Sequence, residues 1–359
     1  MRITLIDPHA FSGFYMYNRN RKYNLHGYYI EFIKKYRPSI YITKAREYFS
    51  VRKFFKEINE KIDEFKVFYT PLSKRSLYSQ TDVLIFMNGG VYSDLSLFKK
   101  FNGIKFYHIM DSQYLARELN EFLAHAGVDY LFGYNSYDKH SEFVRLMYPS
   151  FQDRIIGIPF GFAPVWKVET PFEERRHKAL LSGTMETFQA VRNSDYYSAV
   201  ADYFRFFSSK YNSMHEIRYT IDRDIPTYSH YVDSKILHWP KKDNFIEDVI
   251  GEFNKYKFFI NDESLLNFCP IRTYEGIAAG CVMLAHEATC YNEWGFKDNQ
   301  NCIMFNKIEE IPEKVEYYLK NERSLEKIQK NGFEYVKTNY NHVAIAKMLY
   351  NRIKGLYSE

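Results

Sequence analysis

Short apolar runs alternate with longer stretches of near-helical spacing along the whole chain. Ile3–Ile6, Ser39–Ile42, Val83–Met87, Lys105–Ile109, Tyr130–Gly133 and Ile155–Ile158 read as strands, with helices over His26–Lys35 and Val51–Phe65. In the second of these helices Phe54, Phe55, Ile58, Ile62 and Phe65 recur close to the helical period. The segment Pro159-Phe-Gly161-Phe-Ala-Pro164 breaks the pattern, and Glu169–Lys178 is charged and linker-like. A second series follows. Its strands are Lys178–Leu181, Glu216–Thr220, Ser234–Leu237, Phe258–Ile260, Val282–Leu284 and Ile303–Phe305. Helices fall over Phe245–Phe253, Ile311–Leu319, Ser324–Thr338 and His342–Tyr357, and another runs through Phe207. Alternation of this kind predicts an α/β chain with parallel sheets wrapped by helices. Two series joined by a Pro/Gly break predict two Rossmann-like domains facing each other across a cleft, at 1–165 and 172–341. Ligands of such sheets sit outside the carboxyl ends of the strands.

Composition narrows the class. A chain of 359 residues with 46% hydrophobic and 26% charged residues is globular, with room for two domains. No apolar run approaches the roughly 20 residues that cross a bilayer, and the opening Met1–Asp7 reads as a first strand rather than a signal peptide. Cys269, Cys281, Cys290 and Cys302 have no Cys-x-x-Cys spacing, so neither a metal site nor a disulfide framework is expected, and a reducing cytoplasm fits. Residues 1–80 carry 16 Lys/Arg against 7 Asp/Glu, while the remainder is mildly acidic. This imbalance has two readings: an anionic partner on the N-terminal side, or a solvated basic face.

The richest chemistry lies between Phe258 and Leu284. A buried strand leads through a polar loop to Pro270, a helix start, and the helix ends at Gly280, a suitable C-cap. Arg272 and Glu275 share one face of the first turn. A guanidinium there can grip phosphate, and a carboxylate can accept both hydroxyls of a ribose. The other reading of the pair is an exposed i,i+3 ion pair. Upstream, Ser182-Gly183-Thr184 follows the first strand of the second series. Gly183 would let the backbone approach a pyrophosphate, and Thr184 could donate to it. In the first series, Asp111 follows the run Lys105–Met110 and stands where a strand ends. It is either a general base for an acceptor hydroxyl or an N-cap for the helix after it. The loops at Ser12-Gly13 and Asn88-Gly89 also follow strands and should meet an acceptor. Tyr15, Tyr17, Arg19, Arg21 and Lys22 add a basic-aromatic stretch suited to nucleic acid or a lipid-diphosphate.

Arg272, Glu275, Ala278 and Gly280 form an Arg-x-x-Glu-x-x-Ala-x-Gly helix that resembles the nucleotide-binding core of GT-B glycosyltransferases. The similarity is to the group that includes the CgeB-like proteins and bacteriophage DNA β-glucosyltransferase. It covers most of the second series and thinly the first, where Tyr107, His108 and Asp111 follow approximately the strand end that bears the phage enzyme's catalytic base. The resemblance implies a nucleotide-sugar donor, UDP-linked, bound by Gly183, Thr184, Arg192, Arg272 and Glu275. It further implies Trp239 against the nucleobase, an anchor between domain layers being the other reading; in the loop 261–268, Ser264 or Asn267 should face the donor sugar or phosphates, and Asp262 and Glu263 could bind sugar hydroxyls. The final helix, 342–359, is expected to return to the first domain. Helix dipoles and basic side chains replace a metal in such enzymes, and no second acid stands two positions from Asp262 or Glu263, so no cofactor or metal is expected.

Two departures matter. Asn267 stands where retaining families carry the first acid of a Glu-x7-Glu motif, which points to an inverting reaction with Asp111 as base. Glu186 stands where the phage enzyme has its first phosphate arginine. The expected protein is a cytoplasmic glycosyltransferase, with peripheral contact at the inner face of a membrane allowed. Its acceptor is a surface glycan or lipid-linked precursor, or alternatively hydroxymethylated DNA. A nucleotide-sugar-binding protein without turnover and a nucleotide-sugar epimerase stay open as other classes.

Overall fold

The computed structural model describes residues 1–7, 27–42, 45–69, 74–87, 96–109, 116–133, 148–185, 217–238, 246, 248–262 and 268–358. The chain divides into two compact units, one of Met1–Pro159 with His342–Glu359 and the other of Phe160–Asn341.

In the first unit seven strands form one sheet: β1 Ile3–Ile6, β2 Ser39–Ile42, β3 Val67–Tyr69, β4 Val83–Phe86, β5 Ile104–His108, β6 Tyr130–Gly133 and β7 Ile155–Gly157. Their order is β3-β2-β1-β4-β5-β6-β7, and every neighbouring pair is parallel. Parallel strands covered on both faces need near-continuous apolar runs, and Val83–Phe86 is buried at every position. The order reverses between β1 and β4, which sets this sheet's switch point. The final helix, His342–Ser358, belongs to this unit and packs on the helix Tyr28–Tyr36. Tyr36 and Tyr350 stack there with ring centroids 3.9 Å apart and planes 2° from parallel.

The second unit holds β8 Arg176–Met185, β9 Val232–His238, β10 Tyr256–Asn261, β11 Val282–His286 and β12 Ile303–Phe305. They are ordered β12-β11-β10-β8-β9, again parallel throughout. Ala179, Leu181, Phe258, Ile260, Val282, Leu284, Ile303 and Phe305 meet in its core with Ile217 and Ile221. Here the order reverses between β8 and β10, and the chemistry of the unit gathers at that point.

Three local expectations are corrected. Residues 217–223 form a helix rather than a strand: Ile217 and Ile221 are spaced i,i+4 and both are buried, so helical spacing, not the alternation of Glu216–Thr220, governs the segment. Ser182–Thr184 does not form a loop after the strand but lies inside β8, whose pairing with β9 runs on to Met185. The helical run expected over Val51–Phe65 is a helix at Ala45–Glu57 and a 3-10 turn at Ile62–Glu64. Beyond them lies β3, too short to stand out from its surroundings.

Candidate functional site

The helix Arg272–Ala278 sits between β10 and β11, and its sequence explains its placement. A Cβ on Gly276 would come within 2.7 Å of the Phe259 ring, so the helix can lie this close to β10 only with glycine there. Gly280 has φ +87°. Its N–H donates to Ile277 O, and the Cys281 N–H donates to Gly276 O at 3.0 Å, the paired bonds of a Schellman ending. At the other end, buried Asn261 donates from Nδ2 to Thr273 Oγ1 at 2.7 Å, tying the last residue of β10 to the first turn.

Arg272 opens this helix and points back over the strand ends. Its Nη2 donates to Asp262 Oδ1 at 3.2 Å, and Arg218 Nη2, from the helix 217–223, donates to the same oxygen at 3.0 Å. The side chains of Arg218 and Asp262 are 7% and 3% exposed, that of Arg272 21%. Gly183 lies beneath both guanidinium groups. A Cβ at that position would stand 2.7 Å from Arg272 Nη1 and 3.0 Å from Arg218 Cζ. Gly183 also has φ +150°, a region that favours glycine. Because β10 pairs with β8 only as far as Leu181, Gly183 projects past the end of β10 while still bonded to β9. Two cations are thereby held over bare backbone at the sheet's switch point, where open parallel sheets bind ligands.

Like charges this close oppose each other. Burial and the neighbouring Arg218 lower the Arg272 guanidinium to about 10, while Asp262 acts to raise it. One turn along, Glu275 is 7% exposed. Burial pushes its carboxyl up to about 8, against the pull of Arg272. No salt bridge joins Arg272 to Glu275 among the described residues. The exposed i,i+3 pair is therefore not what forms: Arg272 turns to Asp262, and Glu275 is buried.

The structure brings Gly183, Arg272 and Glu275 to one end of the second sheet, and places Thr184 next in β8. Arg192, Trp239, Ser264 and Asn267 lie outside the described residues, as do Asp111, Ser12, Gly13, Asn88 and Gly89 in the first series. Arg218 is the residue the sequence reading missed, and the i,i+4 spacing of Ile217 and Ile221 is the signal that would have placed it on a helix. His108 packs rather than presenting itself: it is fully buried, stacked on Phe132 at 5.0 Å. Among the described residues no group of three or more His, Cys, Asp or Glu is placed to hold a metal ion. Nor is any described helix long and apolar enough to cross a membrane.

Residues 212–351 match the sequence profile of a family described as glycosyl transferase-like. HepE from Anabaena, in its complex with UDP, superposes with a TM-score of 0.52 at 10% identity, over 99% of this chain and 100% of that one. Its complex with UDP-glucose gives 0.51 at 10% identity, with the same coverage. A glycosyltransferase from Rickettsia africae ESF-5 gives 0.53 at 11% identity, over 99% and 98%. No curated protein matches by sequence. The profile match is to a glycosyl transferase-like family over residues 212–351, and the two parallel sheets have the GT-B fold.

Proposed function

We propose that this chain transfers a sugar from a UDP-sugar to an acceptor hydroxyl, without a metal and with inversion at the anomeric carbon. The convergence of Arg218 and Arg272 over Gly183 carries the reading. Two guanidiniums over bare backbone can hold both phosphates of a nucleoside diphosphate, and Glu275 lies one turn away, on the helix that would carry the ribose. The Arg-x-x-Glu helix supports the CgeB-like subtype. UDP is the nucleotide in the HepE complexes, and its assignment to this chain follows that likeness.

In the reaction, the acceptor oxygen attacks the anomeric carbon while its proton passes to the Asp111 carboxylate. The bond from that carbon to the diphosphate oxygen breaks on the opposite face, and UDP leaves with the electron pair. Arg218 and Arg272 stand where that leaving charge develops, and such preorganised donors are worth most in a site closed to water. Arg192 would add to them, Trp239 would stack on the base, and Ser264 and Asn267 would meet the donor. The basic N-terminal series would bring in an anionic acceptor, a lipid-linked glycan or surface-glycan precursor. Thermal-shift screening of nucleotide sugars, followed by mass spectrometry of candidate acceptors, tests the reading. A UDP-sugar should raise the melting temperature and lose its sugar to an acceptor. Stabilisation by no nucleotide sugar would overturn it, and transfer to hydroxymethylated DNA would replace the acceptor.

A further inference from the structure

Resting on that donor site, we propose that Asp262 is a built-in counter-ion that weakens the hold on the diphosphate, so that the product UDP can leave. Its Oδ1 accepts from both Arg218 and Arg272, and its side chain is 3% exposed. Its Oδ2 is buried and makes no hydrogen bond. A carboxylate with half its acceptor capacity unused in a buried position is costly if its one task is to orient two side chains. An amide would hold the same two bonds through its own oxygen without bringing in a charge.

What the carboxylate adds is charge. Of the described acids on this strand end and its helix, Asp262 accepts from both guanidiniums, and Glu275 lies one turn along the helix. An ionised Asp262 removes one unit of the positive charge that the guanidinium pair presents to a ligand. A diphosphate placed on these arginines is repelled by Asp262 across a short, poorly screened distance. The repulsion grows as the sugar leaves, because the departing UDP carries more negative charge than the donor did. The carboxylate therefore discriminates against product more than against substrate.

Asp262→Asn separates the two roles by the sign of its effect. Titration calorimetry with UDP, and with uridine as the uncharged probe, should show UDP bound about tenfold tighter or more and uridine unchanged. Turnover should then slow in steady state after a burst of the first product. UDP affinity that is unchanged or weaker would overturn the proposal and leave Asp262 as an orienting residue. Asp262→Ser removes the same charge and serves if the Asn variant does not fold. Arg272→Ala, run in parallel, reports on the donor site itself. If it leaves UDP affinity intact, the diphosphate is not held here and both readings fall; if it weakens UDP while Asp262→Asn does not tighten it, the counter-ion alone fails.

Discussion

At the carboxyl end of β8 and β10, Arg218 and Arg272 close over Gly183 and share Asp262, with Glu275 one turn along the helix. At the carboxyl end of β1 and β5 in the first unit, the described side chains are of another kind. Asp7 follows β1, His108 ends β5, and Tyr28 and Tyr29 open the next helix, all buried. The Tyr28 hydroxyl lies 3.3 Å from His108 Nε2, and His342 sits edge-on to the Tyr28 ring at 6.5 Å. Burial raises both tyrosine phenols above their ordinary range and lowers His342 to about 3, so these groups stay neutral at physiological pH. The first of these ends stands at its sheet's switch point and carries two guanidiniums beside buried acids, while the described side chains beside the β1/β4 switch point are mainly rings. On the proposed function this is a division of labour: the second unit answers the charge of the donor, and the first surrounds a neutral hydroxyl, with its working carboxylate supplied beyond the strand ends at Asp111.

The largest expected effect tests that division directly. Asp111→Asn should cut sugar transfer by ~10²–10⁴ and leave UDP affinity as it was. Asn is nearly isosteric but cannot take the proton. NMR of the product should show inverted anomeric configuration with the wild-type enzyme. Retained configuration, or near-normal turnover of the variant, would reduce Asp111 to a helix cap.

The opposite pattern is expected in the second unit. Arg218→Ala and Arg272→Ala should each weaken UDP binding roughly tenfold or more, since a hydrogen bond to a charged group is worth about 1.5–3 kcal/mol. Their effects should not add, because both arginines bond one oxygen of Asp262 and neighbours of this kind couple. Calorimetry of the two single variants and the double variant measures the coupling. Strictly additive losses would mean that the arginines act on the ligand independently.

The same contrast explains what could be read from the sequence. The strand–helix–strand from Tyr256 to His286 was legible because three independent signals agree: apolar runs, a proline before the helix and a glycine after it. Arg272 and Glu275 stood out by their spacing, which left an exposed ion pair as the other reading; the family resemblance chose between the two. Arg218 did not, because Glu216–Thr220 alternates as a strand would, and only packing on Ile260 and its neighbours in the core makes Ile217 and Ile221 the face that counts. Gly183 was recognised as a close-approach glycine but placed in a loop. That β8 continues past β10 is a property of strand pairing, which leaves no mark in a single strand's residues. Asp262 paired with two arginines is a long-range fact of the same sort: Arg218 is 44 positions away.

A smaller effect concerns Glu275 and pH. Its carboxyl is raised from 4.5 to about 8 in the folded chain, chiefly by burial. Between those values the folded state holds a proton that the unfolded state has lost, so stability falls as pH rises through this window and levels off above it. Glu275→Gln should remove that slope. Denaturant melts at pH 5 and pH 8 should show wild type losing on the order of a few kcal/mol relative to the Gln variant. Parallel curves for the two proteins would mean that Glu275 titrates as an ordinary surface acid. His342, lowered by burial from 6.5 to about 3, gives a slope of the opposite sign between those values, because there the unfolded state holds a proton that the folded state lacks; wild type and the Gln variant share it, so it cancels in their difference.

The smallest expected effect is none at all. If Arg218 and Arg272 supply the counter-charge for the leaving diphosphate, a divalent cation has no separate task at that position. A metal there would also have to share a confined site with two guanidiniums, at a Coulombic cost that one carboxylate, Asp262, cannot offset. Steady-state transfer measured before and after exhaustive treatment with EDTA should therefore be unchanged, and added magnesium or manganese should not raise it. Loss of activity in EDTA restored by manganese would show that a metal ion, rather than the arginine pair, carries the leaving group's charge.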